Sequence, residues 1–191
     1  SLCRPPGHHA SKDLAGGYCY LNNVAISAQY YLDNGVSRVA ILDIDYHHGN
    51  GTQSIFYKRS DVFFTSLHCR PEEEYPFLLG YADEIGIDLG ENYNLNFPMK
   101  LGTNFEAWKE ALSLAITQIK KYSPEVLLVS LGVDTFSEDP VGGFNLLSYD
   151  FLNIGKEIKA INIPTHFVME GGYAKKELGQ NVSNVILGFL N

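Results

Sequence analysis

Acidic and histidine side chains occur at short spacing in the segment Ile41–Gly51, whose sequence is ILDIDYHHGNG. An apolar run ends there in Asp43, Asp45 and His47. Side chains two residues apart lie on the same face of a β-strand, so these three would point the same way if the strand continued through them. Carboxylate oxygen and imidazole nitrogen are ligands that suit zinc or a similar divalent ion. The alternative is that charged groups at a strand end simply face solvent.

Three further segments carry polar groups of this kind outside the predicted regular elements or at their ends. The apolar run VSLGVD ends in Asp134, and VMEGGY ends in a glycine pair followed by Tyr173. The stretch RPPGHHA, too rich in proline and glycine for a helix or strand, supplies His8 and His9. In open α/β sheets, ligands bind outside the carboxyl ends of the strands, so these segments can meet in one crevice. Taken singly, each also fits a capping aspartate, a packed tyrosine or a surface histidine pair.

The elements that must position these residues alternate between strand-like and helix-like segments. Strands are predicted over Val39–Asp45, Val62–His68, Tyr93–Pro98, Val126–Leu131 and Pro164–Met169. Apolar residues at helical spacing predict helices over Tyr20–Leu32, Phe105–Lys121, Tyr149–Ala160 and Lys176–Leu190. Asn104 and Ser148 stand where they can act as N-caps. This alternation is typical of a parallel sheet with crossover helices.

The segment from Cys69 to Asn92 contains prolines, glycines and the acidic run Glu72–Glu74, and is predicted to be a surface loop. Loops this long in a compact domain are uncommon and are often functional. A simple exposed excursion is the alternative. No internal repeat or interdomain linker is evident in the chain.

Composition restricts the class of protein. The 191 residues fit one domain or part of a larger one, and 45% of them are hydrophobic. No apolar run approaches the roughly 18 residues of a membrane helix, and no signal peptide opens the chain, so we expect a soluble protein with no membrane partner. Cys3, Cys19 and Cys69 form no CxxC pair, which favours reduced thiols and a cytoplasmic location. The formal charge of -8 argues weakly against nucleic acid and is compatible with a cationic partner.

Five stretches together resemble one protein superfamily. In order and spacing, RPPGHHA, GGYCYLNNVAI, DIDYHHGNGTQ, SLGVDTFSEDP and MEGGY resemble the histone deacetylase and acetylpolyamine amidohydrolase superfamily. DIDYHHGNGTQSIFY, and YPFLLGYADEIG followed by GENYNLNFP, are most similar to the bacterial acetylpolyamine amidohydrolases. The resemblance implies an α/β fold with an open, mostly parallel sheet flanked by helices, as in arginases and deacetylases. It also implies that residues 1–191 form a single catalytic domain, the C-terminal portion of a longer family domain whose N-terminal part is missing from this chain.

The resemblance assigns metal ligands. Asp45, His47 and Asp134 match the family's zinc ligands, which would leave open positions for water and substrate, as a catalytic zinc requires. A structural monovalent-cation site, for potassium or sodium, is also implied. The residues that match it, the first three largely through backbone carbonyls, are Asp43, Asp45, His47, Ser66 and Leu67.

The resemblance also assigns catalytic roles. His8 and His9 match the tandem catalytic histidines, with His9 as general base and acid and His8 as an electrostatic partner. Asp43 would be the partner of His8, and Asn50 that of His9. Tyr173 matches the tyrosine that donates a hydrogen bond to the developing oxyanion. The residues that would line the narrow substrate channel are Gly17 and Tyr18.

The implied function is a zinc-dependent amidohydrolase that removes acetyl groups from small cationic acetylated amines, acetylpolyamines above all, with homodimerisation as a family-level expectation. A protein deacetylase acting on acetyl-lysine is an alternative, because the sequence does not show the geometry of the rim loops. Binuclear manganese ureohydrolases share the fold, but they place an additional carboxylate where this chain has Gly49. A non-catalytic binding module is another alternative. Such a module usually lacks one of the family's metal ligands or the general base, and none of these is missing here. His48 has no assigned role, and we expect it to pack or hydrogen-bond locally.

Overall fold

A five-stranded sheet lies at the centre of the protein, in a computed structural model that describes all residues from 1 to 191. Neighbouring strands all pair in parallel, in the order β3-β2-β1-β4-β5. The strands are β1 Val39–Asp43, β2 Val62–Cys69, β3 Asn94–Met99, β4 Val126–Leu131 and β5 Thr165–Met169. The helices are α1 Asn23–Asp33, α2 Asn50–Phe56, α3 Phe105–Tyr122, α4 Asp150–Lys159 and α5 Leu178–Leu190. The predicted parallel sheet flanked by helices is therefore confirmed.

Helices cover both faces of this sheet. Along β1, Ala40 and Leu42 belong to the larger apolar cluster, which also includes residues of α3, α4 and α5. Val39 and Ile41 belong to a smaller cluster on the opposite face, with residues of α1 and α2. All five residues of β1 are buried. Burial on both faces explains why the central strands are continuous apolar runs without polar alternation.

The predicted helix starts have different outcomes. Asn104 caps α3, because its side chain accepts a hydrogen bond from a backbone amide of the first turn at 3.1 Å. The prediction for Ser148 is wrong, since the residue at the cap of α4 is Tyr149, which makes no capping bond through its side chain. Asp150, in the first turn, instead accepts a bond from a backbone amide just upstream at 2.8 Å. None of the helices has the length and apolar character needed to span a bilayer.

The end of β1 differs from the prediction. The strand stops at Asp43, so Asp45 and His47 lie in the loop that follows it. The sequence suggested that strand alternation would place these side chains on one face, and that prediction is wrong. The helix α2 begins within the same segment, at Asn50, and was not predicted because its seven residues NGTQSIF include only two large apolar side chains.

Helices α4 and α5 approach each other closely at two glycines. A Cβ atom on Gly155 would lie 2.1 Å from the carbonyl oxygen of Val185, and one on Gly188 would lie 2.0 Å from that of Leu152. Real Cβ atoms do not approach backbone oxygen so closely, so either side chain would force the two helices apart. Phe189 of α5 packs against Phe167 of β5, with the ring centroids 5.1 Å apart, and β5 leads into one of the polar loops.

We predict that Gly188→Ala lowers the free energy of unfolding by about 1–3 kcal/mol, the usual range for overpacking a core. The matched control is Gly179→Ala in the same helix, where an added Cβ meets nothing within 4 Å. Alanine favours helix, so this control should leave the free energy of unfolding unchanged or raise it by up to about 1 kcal/mol. Urea denaturation measures both values. Equal stabilities of the two variants would contradict the close helix contact.

Candidate active site

The polar segments singled out in the sequence meet at the carboxyl ends of three neighbouring strands. Asp43 is the last residue of β1, Asp134 follows β4, and Tyr173 follows β5. These three strands are adjacent in the sheet, in the order β1, β4, β5. The N-terminal loop brings His8 and His9 to the same edge, where both are buried. The crevice expected for an open α/β sheet therefore forms here.

Asp45, His47 and Asp134 form a compact buried group. Their candidate ligand atoms all lie within 4.8 Å of one another. His47 Nδ1 lies 3.2 Å from Asp45 Oδ1 and 3.2 Å from Asp134 Oδ2. In a tetrahedral zinc site with bonds near 2.0–2.2 Å, ligand atoms are about 3.3–3.6 Å apart. The two distances from His47 are close to that spacing, so the three donors are placed to share one divalent ion such as zinc.

The charges of this group also fit a bound cation. Burial opposes the protonated imidazole, but Asp134 and Asp45 outweigh that effect and raise the pKa of His47 to about 11. Burial and the negative charge of Asp45 raise the pKa of Asp134 to about 6. Two buried carboxylates around one imidazole thus demand positive charge at their centre, which either a proton or a metal ion can supply.

Backbone amides fix both carboxylates in place. Asp134 Oδ1 accepts a bond from the amide of Tyr46 at 2.9 Å, and Asp45 Oδ2 accepts one from the amide of Gly171 at 2.8 Å. Gly171 has to be glycine, because a Cβ there would lie 2.3 Å from Asp134 Oδ2. The loops after β1, β4 and β5 are therefore joined through the same two acidic side chains.

The tandem histidines have different partners. His8 Nδ1 lies 2.9 Å from Asp43 Oδ2, and His9 Nδ1 lies 2.7 Å from Asn50 Oδ1. Burial opposes the charged form of His8, but Asp43 and Asp45 outweigh it and raise the pKa of His8 to about 10. Burial and the positive His8 lower the pKa of His9 well below its ordinary range. One imidazole is thus held cationic and its neighbour neutral.

Two elements hold the histidine loop. The first residues of α2 donate to it, with the amides of Gly51 and Thr52 lying 3.0 and 3.1 Å from the carbonyl oxygen of His8. From the other side, Glu170 Oε2 accepts bonds from the amides of Gly7 and His8 at 2.6 and 3.0 Å. Glu170 was not predicted from the sequence. An acidic residue directly after a buried apolar strand, in VMEGGY, is the signal that could have identified it.

A cavity of about 310 Å³ opens onto these residues. Its lining residues are His9, Gly17, Tyr18, His47, Glu74, Tyr75, Val141 and Tyr173. The predicted channel residues Gly17 and Tyr18 both lie in it, whereas Glu74, Tyr75 and Val141 were not predicted. Gly17 adopts a φ of +52°, and a Cβ there would lie 2.2 Å from the ring of His9. Only glycine therefore allows this turn to pass so close to the histidine.

Tyr173 is held through its backbone. Asp139 Oδ2 accepts a bond from its amide at 2.6 Å and one from the amide of Ala174 at 3.0 Å. The ring lies 5.9 Å from that of Tyr18 and 5.7 Å from the guanidinium carbon of Arg4. Burial and the nearby carboxylates raise the pKa of Tyr173, so its hydroxyl keeps its proton at neutral pH. The residue can therefore act as a hydrogen-bond donor in the cavity.

His48 does not line this cavity, and of the residues predicted to hold a monovalent cation only His47 does. His48 is buried, with Nε2 3.1 Å from Gln53 Oε1 and its ring 4.5 Å from that of His68, which agrees with the expected local packing. Asp43 pairs in register with Ser66 on β2, so the end of β1 and the predicted cation residues Ser66 and Leu67 are neighbours. The remaining members predicted for that site, Asp45 and His47, are in the loop that follows.

Comparisons with known proteins agree with this geometry. The family model of the histone deacetylase domain matches residues 1–189. Acetylpolyamine amidohydrolase 2 of Pseudomonas aeruginosa is 58% identical over 189 residues, which are 99% of this chain and 55% of that protein. The acetylpolyamine amidohydrolase of Mycoplana ramosa is 52% identical over 188 residues, covering 98% and 55%. This chain thus spans about half the length of the curated relatives it matches.

A solved structure shares the fold. The crystal structure of acetylpolyamine aminohydrolase from Burkholderia pseudomallei superimposes with a TM-score of 0.95 at 43% identity, over 98% of this chain and 54% of that one. The predicted resemblance to the superfamily, and within it to acetylpolyamine amidohydrolases, is confirmed. Because the family model matches nearly the whole of this chain, the chain belongs to the histone deacetylase domain family.

Proposed function

We propose that this chain is the single catalytic domain, or the C-terminal portion of one, of a zinc-dependent deacetylase that hydrolyses acetylated amines, acetylpolyamines in particular. The observation that supports this most strongly is the buried group of Asp45, His47 and Asp134 beside a cavity lined by His9 and Tyr173. Metal ligands, a neutral imidazole and a protonated tyrosine are groups that together can hydrolyse an amide. Relatives named acetylpolyamine amidohydrolase favour the same chemistry.

A zinc ion held by Asp45, His47 and Asp134 would supply Lewis-acid activation of the amide carbonyl and of the attacking water. His9, held neutral, takes a proton from that water as its oxygen bonds to the acetyl carbon. The C–N bond then breaks, and His9 returns the proton to the departing amine. The products are acetate and the free amine, and no covalent enzyme intermediate is needed. His8 stays cationic beside Asp43 and favours the negative charge that develops on the acetyl group.

Tyr173 donates its hydrogen bond to the acetamide oxygen as negative charge grows there. Its position follows from Asp139, which accepts hydrogen bonds from the backbone of residues 173 and 174. The walls of Tyr18 and Tyr75 suit an aliphatic linker between the acetamide and the remainder of the substrate. A cavity near the lower end of the usual size range for ligand sites favours a slender substrate.

The alternatives to acetylpolyamine hydrolysis are not supported equally. A second metal, as in ureohydrolases, would need a carboxylate at Gly49, but a Cβ there would lie 2.2 Å from Asp43 Oδ2. A non-catalytic binding module has no support in this chain, because no ligand or base of the family pattern is missing. An acetyl-lysine protein deacetylase would catalyse the same reaction, so it is the second candidate function. The two candidates differ only in their substrate.

We also propose a cytoplasmic location, a structural potassium or sodium ion, and a homodimer. The three cysteines form no disulfide, which fits a reducing compartment. The pairing of Asp43 with Ser66 supports a cation site between the ends of β1 and β2. Homodimerisation rests on the family resemblance alone.

The metal-loaded enzyme should deacetylate acetylputrescine and acetylspermidine more efficiently than an acetyl-lysine peptide. Chelation should abolish turnover, and added zinc should restore it, because the hydrolytic water depends on a Lewis acid. The measurement is kcat/KM for the three substrates, with amine release as the readout. Turnover of the peptide alone would contradict the polyamine assignment, and two manganese ions per active chain would contradict a single-metal site.

Tyr173→Phe should lower kcat by about 10²–10³-fold, the usual cost of removing one oxyanion donor. Its metal content should stay at one ion per chain, since the tyrosine hydroxyl is not a ligand. Steady-state kinetics and elemental analysis of the same preparation give both values. Loss of metal from this variant would assign Tyr173 a structural role.

Gly171→Ala should weaken metal binding by about 10–100-fold, the cost typical of disturbing groups that orient metal ligands. The added Cβ would lie 2.3 Å from Asp134 Oδ2 and 2.7 Å from Asp45 Oδ2. Competition with a chromogenic chelator measures the affinity. Gly179→Ala is the control, because it adds the same methyl group far from any neighbour. Equal zinc affinities would show that Gly171 does not shape the ligand pair.

A further inference from the structure

Glu74 is the one acidic residue among the eight that line the cavity. It lies on the loop between β2 and β3, next to Tyr75, whose ring packs against His9 at 4.9 Å between centroids. Its side chain is half-buried. A carboxylate in a cavity proposed to bind an acetylated amine calls for a chemical explanation, because apolar walls alone would suit the alkyl part of that substrate.

Two hydrogen bonds fix the orientation of this carboxylate. Tyr46 donates from its hydroxyl to Glu74 Oε2 at 3.3 Å, and the amide of Tyr75 donates to Glu74 Oε1 at 2.9 Å. Tyr46 is fully buried, and its ring packs edge-on against that of His47 at 4.8 Å between centroids. Tyr46 therefore contacts both Glu74 and His47, a proposed metal ligand, and holds the Glu74 carboxylate near the proposed metal site.

The negative charge of Glu74 has no partner in the protein. The ion pairs of the chain use other carboxylates, and no lysine or arginine lies within 4.0 Å of this one. An ionised carboxylate can accept about four hydrogen bonds, and the two it receives from Tyr46 and Tyr75 leave capacity for another donor. In a partly desolvated cavity, a cationic donor interacts with such a group more strongly than it would in water.

We propose that Glu74 binds the ammonium group of the substrate and so selects acetylated amines that carry a positive charge close to the acetamide. This inference rests on the proposed function and adds the residue that determines its specificity. A free acetylpolyamine presents an ammonium group after a short run of methylenes. Acetyl-lysine within a protein instead presents neutral backbone amides at the end of its linker. Glu74 therefore favours the free amine over the protein.

The test compares two substrates of similar length, acetylputrescine and the neutral N-butylacetamide, on the metal-loaded enzyme. The unaltered enzyme should prefer the cationic substrate in kcat/KM. In Glu74→Gln this preference should fall about tenfold, mainly through a higher KM for acetylputrescine, since a single charge interaction of about 1.4 kcal/mol corresponds to that factor. Glu72→Gln is the matched control. This variant removes the same charge from the same loop, but Glu72 is exposed outside the cavity. The substrate preference of Glu72→Gln should therefore equal that of the unaltered enzyme.

A binding measurement separates this inference from catalysis. Putrescine, the amine product, should bind the unaltered enzyme about tenfold more tightly than it binds Glu74→Gln in calorimetry, and Glu74→Asp should recover part of that difference. Zinc content and thermal unfolding of each variant report whether the site remains intact. An unchanged substrate preference and unchanged putrescine affinity in Glu74→Gln would overturn the role of Glu74 while leaving the deacetylase function standing. If the unaltered enzyme hydrolysed no acetylated amine, the proposed function would fail instead.

Discussion

The burial of two carboxylates around one imidazole is the constraint on which the rest of the structure depends. Asp45 and Asp134 are fully buried, and each would be costly inside a protein without a compensating positive charge. Hydrogen bonds from the amides of Tyr46 and Gly171 offset part of that cost and join three loops. The remaining demand for positive charge suits the group to a metal ion. Stability and chemistry thus draw on the same electrostatic arrangement.

Close approach of backbone to side chain is the second requirement, and glycine meets it where the loops converge. Gly49 lies against Asp43, Gly171 against Asp134 and Asp45, and Gly17 against His9. At each place a Cβ would come within 2.3 Å of the neighbouring side chain. These glycines are therefore part of the site's geometry, although they contribute no reactive atom. Behind them, the apolar sides of helices cover both faces of the sheet.

Much of the fold was predictable because central parallel strands are continuous apolar runs, and long helices carry clear periodicity. The short helix α2 was not predictable in this way, because only Ile55 and Phe56 in it are large and apolar, and its first residues bond to the histidine loop. The convergence of Asp45 with His47 was predicted for the wrong reason, because the strand ends before both of them. Local spacing cannot show that Asp134 and Gly171, distant in sequence, close the group from other loops.

Two carboxylates that sequence reasoning missed, Glu170 and Asp139, act through contacts with residues distant in the sequence. Glu170 holds the amides of Gly7 and His8 across 163 and 162 residues of sequence, and Asp139 holds the backbone of Tyr173 across 34. Neither carboxylate touches the cavity, yet each fixes a loop that bears a proposed reactive side chain. Because a reacting group must be held in place before the substrate arrives, such carboxylates would contribute to the proposed catalysis by positioning other residues and not by touching the substrate. The separation of His8 and His9 into a cationic and a neutral imidazole depends on that order, since a shifted loop would exchange or lose the partners that set their charges.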